Sequence, residues 1–98
     1  MIQNLSDVCS YDVGLASYEV FDDTVATQRL FSSDTRTIGP NETLNLTIGV
    51  PGCAAQVDLF YGGLITDFSG GARYGERLID FRWLNRGSNC STGEAEAD

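Results

Sequence analysis

Ninety-eight residues give room for one domain, and a hydrophobic share of 42% is enough for one core. Fourteen acidic residues against six arginines leave a formal charge of −8, which disfavours phosphate backbones and anionic bilayers, so neither nucleic-acid binding nor membrane insertion is expected. The chain has no His and no Lys, so it cannot build a Ser-His-Asp or Cys-His site or a lysine-based crosslink; no enzyme activity and no cofactor are expected.

In chain order, residues 2–8 form a weak first strand. Residues 13–21 (VGLASYEVF) form the next, with Val13, Leu15 and Phe21 in phase with Cys9 and Tyr11, and Asp22-Asp23-Thr24 ends it. Residues 28–31 and 35–38 read as two short strands split by Ser32-Ser33-Asp34, whose short polar side chains favour a turn by bonding their own backbone. Pro40-Asn41-Glu42 is the next turn.

Residues 43–50 and 54–61 are the expected central strands. In the first, Leu44, Leu46, Ile48 and Val50 alternate with Asn45, Thr47 and Gly49, the period of two of a half-buried strand, and Pro51-Gly52 leads to the second. A glycine-rich loop occupies 62–75. Residues 77–84 (RLIDFRWL) close the series, with Ile79, Phe81 and Trp83 on one face and Asp80 and Arg82 on the other. A single domain over 1–92 and a disordered acidic tail over 93–98 are expected.

About seven short strands with no helical period place the chain in the all-β class, with an immunoglobulin-like Greek-key sandwich as the expected architecture. The expected core is Val13, Leu15, Leu44, Leu46, Ile48, Val57, Leu59, Ile79, Phe81 and Trp83. The run TIGPNETLNLTIGVPGCAAQVDLFYGG (37–63), with VGLASYEVF before it and RYGERLIDF after it, resembles the immunoglobulin-like modules of prokaryotic cell-surface and secreted proteins over most of residues 9–84. Asn41 stands where that pattern has glycine. The resemblance implies a modular role on an exported protein, in stalks, adhesins or assemblies, and carries no ligand motif with it.

In such a topology all three cysteines fall at one end, and no CxxC pair suggests zinc or redox chemistry. Cys9 is in phase with Val13 and Leu15, and Cys53 with Ala55, Val57 and Leu59, so a Cys9–Cys53 disulfide is expected first. Cys90 is the alternative partner of either, and the odd cysteine is a candidate for a bond between chains. Four of the five asparagines, Asn4, Asn41, Asn45 and Asn89, lie in N-x-[ST] sequons where chance gives roughly one. An extracellular or cell-surface glycoprotein is therefore expected. The N-terminal residues lack the basic and apolar regions of a signal peptide, as expected of a mature or excised domain.

The opposite end gathers Asp22, Asp23, Asp67 and Glu76 with Ile65, Phe68, Arg73 and Tyr74. Calcium needs six to eight oxygens, roughly the reach of two such loops, but no DxDxDG spacing is present and solvated loops are favoured over a metal site. Ile65, Asp67, Phe68, Arg73 and Tyr74 form either a recognition tip or a flap folded over the core edge. The expected function is a non-catalytic structural or assembly module of a surface layer, fibre or stalk. It would pair through strand edges or the 2–8 segment with copies of itself or neighbouring modules. The alternative is an adhesive module that binds carbohydrate or protein through the 62–75 loop.

Overall fold

One strand is the hub of the architecture. In the computed structural model, which describes residues 2–22 and 24–90, β2 (Tyr11–Glu19) pairs antiparallel with β3 (Arg29–Ile38) on one side and β5 (Ala55–Tyr61) on the other. β6 (Leu78–Leu84) adds to β5 and completes a four-stranded sheet of order β3-β2-β5-β6. β1 (Ile2–Gln3) and β4 (Thr43–Leu44) pair as a small second sheet. The protein is all-β, with six strands among the described residues where about seven were expected. The 93–98 tail and the boundary at 92 lie outside the described residues.

Two strand assignments change. Ser32-Ser33-Asp34 is no turn: these residues pair with Ser17, Ala16 and Leu15 in the middle of β3, and a bulge beside Ser17 and Tyr18 takes up the extra residue, Phe31. Their polar side chains serve a neighbouring segment rather than their own backbone. The Thr47 N–H donates to Asp34 Oδ2 at 3.2 Å, the Gly49 N–H donates to Ser32 Oγ at 3.1 Å, and Ser17 Oγ donates to the Gly49 carbonyl at 2.7 Å. Residues 45–50 therefore cross the sheet instead of joining a ladder. Their alternation survives as far as Ile48, with Leu44, Leu46 and Ile48 half-buried and Asn45, Thr47 and Gly49 exposed, but Val50 is exposed too.

The core also lies on the other side of the sheet from the expected one. Cross-strand partners share a face, so Gly14, Ala16 and Tyr18 of β2 line one face with Phe60, Asp58 and Gln56 of β5. That face holds the buried cluster of Ala16, Tyr18, Phe60, Ile65, Phe68 and Tyr74. Val13 of the expected core is buried, but Leu15, Val57 and Leu59 are only half-buried on the opposite face, and Ile79, Phe81 and Trp83 are exposed. Cover explains Leu15, Val57 and Leu59: residues 62–77 fold over the Tyr18 face with aromatic side chains, whereas among the described residues the Leu59 face meets only 45–50 and the small sheet. Phe81 and Trp83, paired with Asp58 and Gln56, share the Tyr18 face but are exposed on the outermost strand. Gly14 is required here, because a Cβ would run into the Phe60 ring that packs across it.

The first-choice disulfide, Cys9–Cys53, does not form, and the alternative through Cys90 does. Cys53 is bonded to Cys90, with Cα atoms 5.0 Å apart, and Cys9 is an exposed free cysteine in the loop before β2. After β6 the chain reverses through Asn85 and Gly87, both in the left-handed region. It returns beneath β2 and β5, where the Ala54 N–H donates to Ser88 O at 2.7 Å and the Cys90 N–H to Val20 O at 2.7 Å. This return brings Cys90 to Cys53. Cys9 lies before β2, where the strand's parity no longer fixes a direction.

Candidate functional site

The 62–75 loop, read from the sequence as either a recognition tip or a flap over the core edge, is built into the core. Ile65, Phe68 and Tyr74 are buried, with the Phe60 and Tyr74 rings stacked at 4.3 Å and Tyr18 and Phe68 edge-on at 4.8 Å. One hydrogen bond closes the loop on itself and two tie it to the sheet. The Ile65 N–H donates to Tyr74 Oη at 3.0 Å, Tyr74 and Tyr18 share a 2.5 Å bond, and Tyr18 Oη donates to Ile65 O at 2.7 Å. Burial raises the pKa of both phenols above the ordinary range, so both stay protonated donors.

The two charged residues of the predicted tip serve the loop itself. Asp67 accepts the Ser69 N–H at 2.8 Å, which holds its carboxyl below the usual range, and Arg73 donates to the carbonyls of Phe68 and Ala72. Arg77 clamps the loop's base by donating to Tyr61 O and Gly63 O, both at 2.8 Å, while its guanidinium lies over the Tyr74 ring.

Among the described residues, the acidic side chains considered for calcium, Asp22, Asp67 and Glu76, form no ligand cluster. Asp22 accepts the Thr24 N–H at 2.7 Å and the Thr27 hydroxyl at 2.8 Å, which lowers its pKa and organises the turn at Val25–Thr27. Glu76 sits in the turn Gly75–Arg77, and Asp23 lies outside the described residues. Among the described residues, the one group of metal-ligand side chains close to one another is Glu19, Cys53 and Cys90. Its two sulfurs are bonded to each other, which leaves no thiolate pair to bind an ion.

The sequons separate by environment. Asn4 is buried and its amide is used: Nδ2 donates to Cys9 O at 2.7 Å and Gly39 O at 2.9 Å, while Oδ1 accepts the Ser6 N–H. It pins the N-terminal segment to the turn at 39–42. Asn41 is exposed at φ 57°, the position after Pro40 where a type II turn normally takes glycine. Asn45 and Asn89 are exposed as well, although the Ser91 that completes the last sequon lies outside the described residues.

What the structure leaves open lies elsewhere. On the face away from Tyr18, a cavity of about 510 Å³ is lined by Ile2, Leu5, Tyr11, Val13, Tyr61 and Ile79 among others. A smaller depression of about 140 Å³ lies among Leu15, Val57, Leu59, Asp80, Phe81 and Arg82, where this face reaches β6. Ile79, Phe81 and Trp83 are 51%, 50% and 37% exposed. β3, the opposite edge, is engaged by residues 45–50, but the outer edge of β6 has no strand partner among the described residues. Sequence reasoning placed these three residues in the core because a fully covered strand and an uncovered edge share the same alternation. The opposite charges at Asp80 and Arg82 between the apolar positions were the available signal.

No protein-family model, curated protein or solved structure matches the chain.

Proposed function

We propose that this chain is a non-catalytic, exported structural module that works by docking to other protein modules, as a surface-layer, fibre or stalk subunit does. The uncovered edge of β6 with its three exposed apolar side chains carries the reading, because an open edge that is also apolar is a template for another chain. The Cys53–Cys90 disulfide supports an oxidising, extracellular or cell-surface location. Within that reading Asn41 and Asn45 are the glycan acceptors, and Asn4 serves the fold. A four-stranded sheet with a smaller second sheet on one face is compatible with the immunoglobulin-like resemblance, and a Greek-key sandwich completed by a partner is the architecture this reading favours.

The test is sedimentation of the purified, oxidised chain from micromolar to millimolar concentration, with electron microscopy of the same samples. Concentration-dependent assembly is expected. A single monomeric species throughout, with no fibres, would sink self-assembly and leave only docking to unlike modules. A second reading, carbohydrate binding, is favoured by the cavity with Tyr11 and Tyr61 in its wall rather than by the 62–75 loop. Glycan-array binding that disappears in Tyr61→Ala, with the unfolding midpoint unchanged, would select it.

A further inference from the structure

Five consecutive residues of β6, from Ile79 to Trp83, are exposed, and among the described residues β5 is the only strand that β6 pairs with. The Phe81 N–H donates to its own neighbour, Asp80 Oδ1, at 2.8 Å, so a carboxylate occupies a backbone donor that a further strand would otherwise take. No Pro or Lys blunts this edge; beside the two charged residues it carries a bulge opposite Leu59 and Phe60, with Ile79 as the extra residue.

The sequence of this edge is self-complementary. Leu78–Leu84 reads L-I-D-F-R-W-L, the same order of apolar and charged residues from either end, with the two charges opposite in sign. We infer that β6 docks antiparallel against β6 of a second copy of this chain about a two-fold axis at Phe81, deepening the assembly reading on which this inference rests. In that register Asp80 faces Arg82 of the second copy, Arg82 faces its Asp80, and the two Phe81 side chains meet. Trp83 comes opposite the bulged Ile79, and the two sheets join into one of eight strands. The carboxylate that caps the Phe81 N–H is displaced by a carbonyl and turns to the opposing guanidinium.

Charge selects this register over its neighbours. Slipping the pair by two residues in one direction sets Asp80 against Asp80, and in the other Arg82 against Arg82. Parallel in-register pairing sets both like pairs together. Directly opposed like charges destabilise a ladder, so the centred antiparallel arrangement is the one in which both charged positions attract.

The experiment uses the full oxidised chain with Cys9→Ser, which removes the exposed thiol and with it any disulfide-linked dimer. Sedimentation equilibrium is run on this chain, on Arg82→Asp, on Asp80→Arg and on the double exchange, with circular dichroism confirming the fold of each. Each single exchange creates two like-charge pairs by symmetry and is expected to weaken the dimer roughly tenfold or more. The double exchange restores it, and an equimolar mixture of the two single variants forms a heterodimer, since one copy then carries two arginines at 80 and 82 and the other two aspartates. Association equal in all variants would overturn the β6 interface while leaving assembly through another surface standing. Weakening by both single exchanges without rescue in the double or the mixture would overturn the register. Absence of any dimer at millimolar concentration would overturn both this inference and self-assembly.

Discussion

The two faces of the four-stranded sheet are closed by different means. The Tyr18 face is covered by residues 62–77, whose aromatic side chains pack on Phe60 and Tyr18 and whose Ile65 carbonyl accepts the Tyr18 hydroxyl. The Leu59 face is crossed by an extended segment tied down by three bonds to Asp34, Ser32 and Ser17 near β3, which leaves the β5 and β6 side half-covered. Adjacent residues of one strand thus live in different solvents: Phe60 is buried and Leu59 is not. Burial is decided by what crosses a face, and a strand that is apolar on both faces reveals only that two covers are needed. One of them is here incomplete.

The sharpest way to break that comparison is to truncate the two neighbours separately. Phe60→Ala removes the ring that stacks on Tyr74 and lies across Gly14, and is expected to cost about 3–5 kcal/mol. Leu59→Ala should cost about 1 kcal/mol, since much of that side chain's apolar surface stays wet in the folded state. Urea unfolding of both variants measures the difference. Equal losses would mean that the Leu59 face is as fully packed as the other.

The cysteines show the same division at smaller scale. Cys90 is buried and bonded to Cys53 across 37 residues, so Cys90→Ser should destabilise by roughly 2–4 kcal/mol and release the segment held against Val20 and Ala54. Cys9→Ser, at an exposed site near the half-covered face, should change the unfolding free energy by less than about 0.5 kcal/mol. Thermal unfolding with thiol counting checks both. A large loss from Cys9→Ser would point to a structural role for the thiol, which accompanies a raised phenol pKa at Tyr11 through a hydrogen bond between the two side chains.

The all-β class was legible in the sequence because the alternation at 44–50 and the runs around β2, β5 and β6 are local properties. The pairing was not. Residues 45–49 keep a strand's alternation without a ladder, since solvent on one side and sheet on the other impose the same period whether or not backbone bonds form. Ser32-Ser33-Asp34 carries turn chemistry that is spent on Thr47 and Gly49, two contacts of long sequence separation that no local rule contains. Face selection failed at β2 and β5 for a related reason. Val13 and Leu15 face one way and Ala16 and Tyr18 the other, and Asp58 beside Phe60 makes the buried face look like the wet one. The exposed edge was hidden by the same ambiguity, although its residues were all in view.

Asp58 supplies the subtlest test, because it is a carboxylate on the closed face at 3% exposure. Burial raises its pKa to about 6, against a smaller opposing pull from Gln56, whose Nε2 donates to Oδ1 at 2.9 Å. A folded-state pKa above the unfolded value means that the folded state binds the proton more tightly. The stability it contributes is therefore complete below about pH 4 and is lost as pH rises towards and through about 6. Asp22 and Asp67, whose pKa values are lowered by their turn hydrogen bonds, act in the opposite sense and only at lower pH, so the two windows separate. Asp58→Asn keeps an acceptor for Gln56 and removes the charge. It should match the wild type near pH 4 and become more stable by on the order of 1 kcal/mol above about pH 6, the plateau of the difference. Urea unfolding of both proteins across this range gives the difference directly. A difference that closes rather than opens with rising pH would show that the carboxylate is stabilised by its hydrogen bond more than it is penalised by burial, and that the closed face admits more water than its aromatic lid implies.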